Sequence, residues 1–488
     1  MEGSDDEIGP VEDFRTGFAS SGSSTLVLQP RFHVFPPQAH TPQSNLMIRS
    51  IFRGQRGHVV FAAILSVSAT SGCGRKDAAP PAEKPEAAVA PEKAAPEPDV
   101  AEDVKALEEA GFSLKKDDAG NVVSFGVASD SDISDSFVHL AGLKNVKEAQ
   151  FSGPGIGDEG LDVLSELQTL KVLDLTDSAI TDETLEPISK ITNLDVLRLR
   201  RVAVTAEGLA KLKPLQKLRV IDLRNTTCKD DAIKEVSALK SLIDIQLEKT
   251  QISDTAITYL TGLKLKSFNA NACRTLTNAT LESLGKIATL QQIQVDYSSI
   301  TDDGMKHLAN LKNLSRVRIR GCFVTDKGIE AMGSGDKIQR LELRDTAITG
   351  EALARIATFP NLTFLDLGEC RRIQPEGFKN LAKATGLTYA GFWETKLNDE
   401  AFQALGGLTN LTTLDARDTE LGDESVDTIL KFTKLTKLDL AGNQMMTDDG
   451  FIKLAQLPNL TWIGVGNSNI GYDAFDEFEK NENLHIEE

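Results

Sequence analysis

One apolar motif, L-x-x-L-x-L, starts sixteen times between Val122 and Leu484: at 122, 146, 170, 194, 218, 242, 265, 290, 314, 338, 362, 387, 411, 435, 460 and 484. Successive starts lie 23 to 25 residues apart. A unit this short cannot bury its own apolar residues, so a chain built from copies of it must stack them and share one continuous core. In the unit from Leu170, the fourth and sixth positions, Leu173 and Leu175, are apolar and alternate with outward positions, the pattern of a short strand. After Ile180, apolar residues recur three apart at Leu185, Ile188 and Ile191, which marks one face of a helix. Thr181, Thr301 and Thr325 stand where a helix N-cap belongs, and the Asp after each suits the positive end of the helix dipole.

The strand motif joined to I-T-D-x-G-L, as in 314–329, resembles the ribonuclease-inhibitor-like and cysteine-containing classes of leucine-rich repeats over about residues 122–486. The resemblance implies an α/β leucine-rich-repeat solenoid, a horseshoe of about 15 repeats of 24 residues, with a parallel sheet on the concave side and helices on the convex side. It implies no particular partner, because this fold serves many functions. Residues 101–121 are expected to form an N-terminal helical cap, with Val104, Leu107 and Phe112 covering the first repeat, and 122–488 the array.

The segments ahead of the cap have a different character. Residues 1–46 are irregular and rich in Ser, Pro and Gly. From Met47, the basic residues Arg49, Arg53 and Arg56 precede an apolar run, Val59 to Leu65, and then Thr70-Ser71-Gly72-Cys73. That order is a secretory signal peptide. Its end is similar to the lipobox of bacterial lipoproteins, with Thr70 where that family carries Leu or another aliphatic residue. The resemblance implies cleavage before Cys73, lipid attachment to its sulfur, and a lipid-anchored, periplasm-facing or outer-membrane place in a bacterial cell envelope. Gly74 stands where many such lipoproteins retained at the inner membrane carry Asp, which leans toward the outer membrane. A start at Met47, with 1–46 mis-assigned, would place the signal at the N-terminus. Residues 74–100 form an Ala/Pro/Glu-rich linker. At about 3.1 Å per residue, its last 24 residues would span roughly 70 Å. No apolar run reaches the ~18 residues of a spanning helix, so a lipid would be the one membrane link. Were the 47–73 segment inert, the chain would be cytoplasmic, an adaptor or enzyme inhibitor.

The net charge of −19 argues against a nucleic-acid partner. Cys273, Cys322 and Cys370 share the ninth position of alternate repeats, about 10 Å apart, too far for a disulfide. Closely spaced Cys and His ligands for zinc are absent. The runs 301–304 and 447–450 lack the alternating acids of a calcium loop and read as helix caps. His139, His307 and His485 lie far apart, and no nucleophile–base set or phosphate-binding glycine loop stands out. The expectation is a chain that is not an enzyme and holds no metal or cofactor.

Function should then lie on residues the fold does not require: the third, fifth and seventh positions of each strand, which project from the concave face. One basic group there comprises Arg198, Arg200 and Arg224, with Arg201 close by; a second comprises Arg316, Arg318, Arg320, Arg340 and Arg344, softened by Glu342. Phe364, Tyr389 and Trp393 follow, with Trp462 further along. Arginine beside large aromatics is the composition of interface hot spots. The competing view is a solvated face whose arginines pair with acids such as Asp222, Asp366 and Asp415. The face points first to a protein partner and second to an anionic glycan or cell-wall polymer, whose carboxylates or phosphates would suit arginine.

Overall fold

The structure, a computed structural model, describes residues 97–479 and 483–487. The described residues all belong to one compact unit, within Val89–Glu488. Cys73, the signal-like segment 47–73 and the linker as far as residue 96 lie outside the described residues.

Every motif start yields a strand. From Val122–Ala128 to His485–Glu487, each strand pairs in parallel with the next in sequence, so sixteen strands stack in chain order. Register follows the motif: Leu173, Leu197 and Ile221, each a fourth-position residue, lie opposite one another on neighbouring strands. Fourth- and sixth-position side chains such as Leu173, Leu175, Val317 and Ile319 are fully buried. Each such burial contributes about 1.5–3 kcal/mol, which a lone repeat could not realise. Most strands are only three residues long, because the chain must turn at the ninth position to reach the helical side. There Thr226, Thr250, Ser298 and Thr346 donate to the sixth-position carbonyl of their own repeat at 2.7 Å. Cys273, Cys322 and Cys370 share this turn and are buried and unpaired. The chain is thus an α/β solenoid whose sheet forms one side and whose short α- and 3-10 helices form the other.

On the helical side the Thr-Asp pairs do something the sequence pattern did not suggest. Thr325 does cap its helix, accepting from the amide of Lys327. Thr301 precedes the helix Asp302–Met305 without a side-chain cap bond, and its Oγ1 accepts from Asn278 instead. Thr181 stands ahead of a helix whose cap residue is Thr184. The Asp, meanwhile, clamps the next repeat. Asp302 accepts from the Thr325 amide at 2.7 Å and hydroxyl at 2.6 Å, and Asp326 does the same for Thr349. Charge-assisted bonds of this kind contribute about 1.5–3 kcal/mol each, so the ladder welds repeats that otherwise meet through apolar contacts. Gly328 is part of the device, since a Cβ there would lie 2.6 Å from Asp302 Oδ1.

The N-terminal end is closed by a helix, Ala101–Glu109, and by a strand, Ser113–Lys116, that runs antiparallel to the first repeat strand. Val104, Leu107 and Phe112 enter the core, where Phe112, Phe125, Phe137 and Phe151 pack with ring centroids 5.3 to 6.5 Å apart. Asp99 accepts from the amides of Val122 (2.5 Å) and Lys144 (2.7 Å), tying the incoming chain to two repeats. The exposed Lys115 and Lys116 place charge on the outer strand, which discourages edge-to-edge pairing. Among the described residues, no helix is long and apolar enough to cross a membrane.

Candidate functional site

Pairing register puts Arg316, Arg340, Phe364 and Tyr389 side by side on four neighbouring strands, all at the third position. Arg318, Glu342, Asp366 and Gly391 occupy the fifth position of the same strands. Side chains at equal positions on adjacent strands stand about 4.8 Å apart, close enough to stack or pair. They do both.

Glu342 is the hub of the charged part. It is 0 % exposed, and its carboxylate receives Arg340 Nε at 2.6 Å, Arg316 Nη2 at 2.9 Å and Arg320 Nη2 at 2.5 Å, with Arg318 Nε at 3.7 Å. Burial pushes this carboxyl up, but the hydrogen bond from Arg340 and the charges of Arg340, Arg316 and Arg320 outweigh it and hold it below the usual range. Asp296, also buried, takes Arg318 Nε at 2.6 Å and the Arg320 amide at 3.0 Å. There burial prevails over the neighbouring Arg318 and Arg320, and the carboxyl sits above its ordinary value. Asp366 faces Arg320 at 3.3 Å and Arg344 at 3.7 Å. Five arginines thus meet three buried carboxylates, leaving an excess of two positive charges on this stretch of sheet.

The aromatic part grows out of the same network. The Arg340 guanidinium lies 3.5 Å over the Phe364 ring, and Phe364 stacks on Tyr389 at 3.8 Å with 4° between planes. Gly391 makes room: a Cβ there would stand 3.1 Å from both the Tyr389 hydroxyl and Asp366 Oδ1. Burial, with Asp366 and Asp415 nearby, pushes the Tyr389 phenol above its ordinary value, so it stays a proton donor at neutral pH. Trp393 is flanked by Arg344 (4.8 Å) and Arg417 (5.4 Å), and its Nε1 donates to Asp418 at 2.9 Å. All three rings remain half-exposed.

The remaining candidates are not part of this patch. Arg198 faces Asp174 at 3.6 Å and Arg224 is bonded to Asp222 at 2.6 Å, while Arg200 is half-buried with an unpartnered Nε. Arg201 sits in the left-handed turn after the strand and pairs with Asp177. Three strands, Asp244–Gln246, Ser267–Asn269 and Gln292–Gln294, separate this first basic group from the second. Their face is polar; Gln246 donates to Asp244 at 2.6 Å and Asn269 donates to Gln246 at 2.8 Å. Trp462 lies beyond two further strands, with the Lys437 ammonium 3.8 Å over its ring. Arg417 belongs to the patch and was not singled out, although the seventh-position rule that found Arg344 also reaches it.

Burial pushes the thiols of Cys228 and Cys370 up to about 11, which leaves them protonated inside the core. Among the described residues, no group of three His, Cys, Asp or Glu side chains could hold a metal ion.

A family model described as a leucine-rich repeat matches residues 166–189, 360–382 and 433–455. No curated protein matches the sequence. Among solved structures, an internalin from Listeria monocytogenes aligns at 16% identity and TM-score 0.46, covering 80% of this chain and 95% of that one. A leucine-rich-repeat protein from Leptospira interrogans aligns at 16% identity and TM-score 0.47, covering 74% and 100%. The Arabidopsis receptor kinase HAESA, solved with a peptide hormone and a co-receptor, aligns at 13% identity and TM-score 0.43, covering 79% and 81%.

Proposed function

Taking the chain as a leucine-rich-repeat protein, we propose that it is a non-catalytic binding module that receives a segment of another protein across its sheet face, centred on Phe364, Tyr389 and Trp393. The observation that carries this reading is the Arg340–Phe364–Tyr389 stack with Trp393 held between Arg344 and Arg417. Ordering large side chains is a main cost of association, and here their own network has already ordered them. Half-exposed rings on a rigid sheet supply apolar contact area for the partner segment. The arginines of this face are already engaged by carboxylates, which makes an anionic polymer the weaker reading for this surface.

The module is proposed to be tethered to a bacterial cell envelope through lipid on Cys73. The order of basic, apolar and small residues from Met47 to Cys73 supports this. Intact mass spectrometry of protein made with its own N-terminus in a diderm bacterium tests it: a mature chain starting at lipid-modified Cys73 is expected. A soluble chain retaining 47–72 would instead favour a cytosolic adaptor.

For the binding face, a photo-crosslinking residue at Thr413, on the strand next to Tyr389, is expected to capture a protein partner. The same residue at Tyr259, exposed on the helical side, is expected not to. Capture at Thr413 should be lost in Tyr389→Ala. Equal capture at both positions, or capture indifferent to Tyr389→Ala, would remove the sheet face as the binding surface.

A further inference from the structure

A second group of cations lies away from the strand face, along the sheet edge where the chain enters each strand. Lys171, Lys217, Arg219, Lys240 and Lys264 line an open groove of about 570 Å³, each from the residues just before a strand in the repeats starting at 170, 218, 242 and 265. With the intervening repeat at 194, the groove crosses five repeats, on the order of 20 Å at the usual strand spacing.

These cations are built unlike those on the strand face. Arg219 alone meets a carboxylate, Asp195, at 3.5 Å. Lys171 and Lys217 reach neutral oxygens of Asn193, at 3.1 and 2.7 Å, and Lys240 reaches the Ser237 carbonyl at 2.7 Å. Lys264 has no hydrogen bond or ion pair among the described residues. Five positive charges against one negative leave an excess of four in a chain whose net charge is −19. The fold does not call for it, since the repeat demands apolar residues at its first, fourth and sixth positions and nothing of these. The ammonium groups tied to Asn193 and Ser237 are held by neutral acceptors with their charge uncompensated, as an anion-binding row requires.

We propose that this groove binds a linear polyanion bearing successive phosphate groups. Lysine is a compact point charge that attracts phosphate without demanding the planar, two-pronged geometry that carboxylate recognition by arginine uses, and four of the five cations are lysines. No aromatic side chain lines the groove to stack on bases, so it offers a polymer contacts to its phosphates alone. The site uses none of the residues assigned to protein binding and stands or falls apart from that reading.

Inorganic polyphosphate is the probe, titrated by calorimetry against the full-length protein at low and moderate salt. Binding is expected at low salt and should weaken steeply as salt rises. The triple change Lys217→Gln, Lys240→Gln and Lys264→Gln should weaken it about tenfold or more. The matched triple Lys312→Gln, Lys337→Gln and Lys434→Gln, exposed on the same edge but outside the groove, should change it less than about twofold. Absence of binding at low salt, or equal losses from both triples, would overturn the proposal. Polygalacturonate binding as tightly as polyphosphate at equal charge would overturn the phosphate assignment.

Discussion

The two cation clusters use the same kind of charge for opposite ends. On the strand face, Arg316, Arg318, Arg320 and Arg340 converge on Glu342, and Asp296 and Asp366 take up the rest. At the groove, four of five cations have no carboxylate partner. A buried carboxylate is tolerable only where cations surround it, and it then fixes those cations in place. The arginine network is therefore a frame that positions aromatic rings, whereas the lysines are unspent attraction. Counting basic residues cannot distinguish the two; only the pairing does.

The sharpest way to break this contrast is to remove the hub. Glu342→Gln leaves four guanidinium groups facing a neutral buried side chain and should cost about 3–5 kcal/mol in guanidinium unfolding, as breaking buried pairs does. The loss has a defined pH dependence. Because the folded Glu342 carboxyl is held below its ordinary 4.5, its stabilisation is fully present above that pH and fades as pH falls through the lower folded value. The stability gap between wild type and Glu342→Gln should thus narrow under acid. A gap that is small at neutral pH, or constant down to acid, would show the hub to be decorative. At the other extreme, the Lys217→Gln, Lys240→Gln, Lys264→Gln triple should shift unfolding by no more than about 0.5 kcal/mol, because exposed cations without carboxylate partners contribute little to folding. A loss near that of Glu342→Gln would erase the distinction between frame and groove.

Much of the fold was legible because the repeat is strict. Sixteen apolar motifs became sixteen parallel strands, since a period near 24 leaves stacking as the one way to bury Leu173, Leu175 and their counterparts. The antiparallel strand Ser113–Lys116 escaped notice because Ser-Leu-Lys-Lys is short, polar and outside the repeat. The Asp residues do lie in the first turns of their helices, as the dipole reading expects, but the ladder they also form was not legible because its partner, Thr325 for Asp302, lies 23 residues on and becomes a neighbour only when repeats stack.

The site was legible by position and not by partner. The alternation rule correctly put Arg340, Phe364 and Tyr389 on one face, and Asp222, Asp366 and Asp415 do pair with arginines there. It did not reveal that Arg318 would turn to Asp296 on the strand before, nor that Trp462 would stand apart, because both depend on which strands become neighbours. The edge groove was invisible for a related reason: its lysines sit just outside the alternating strand, where a period-2 reading assigns no face.

The most direct test is the affinity of the crosslinked partner, measured side by side for wild type, Tyr389→Ala and the lysine triple. The expected result is a loss of about tenfold or more, roughly 1.4 kcal/mol or above, for Tyr389→Ala and less than about twofold for the triple. Unchanged affinity in Tyr389→Ala, with a large loss in the triple, would contradict the assignment of the protein-binding surface to the strand face.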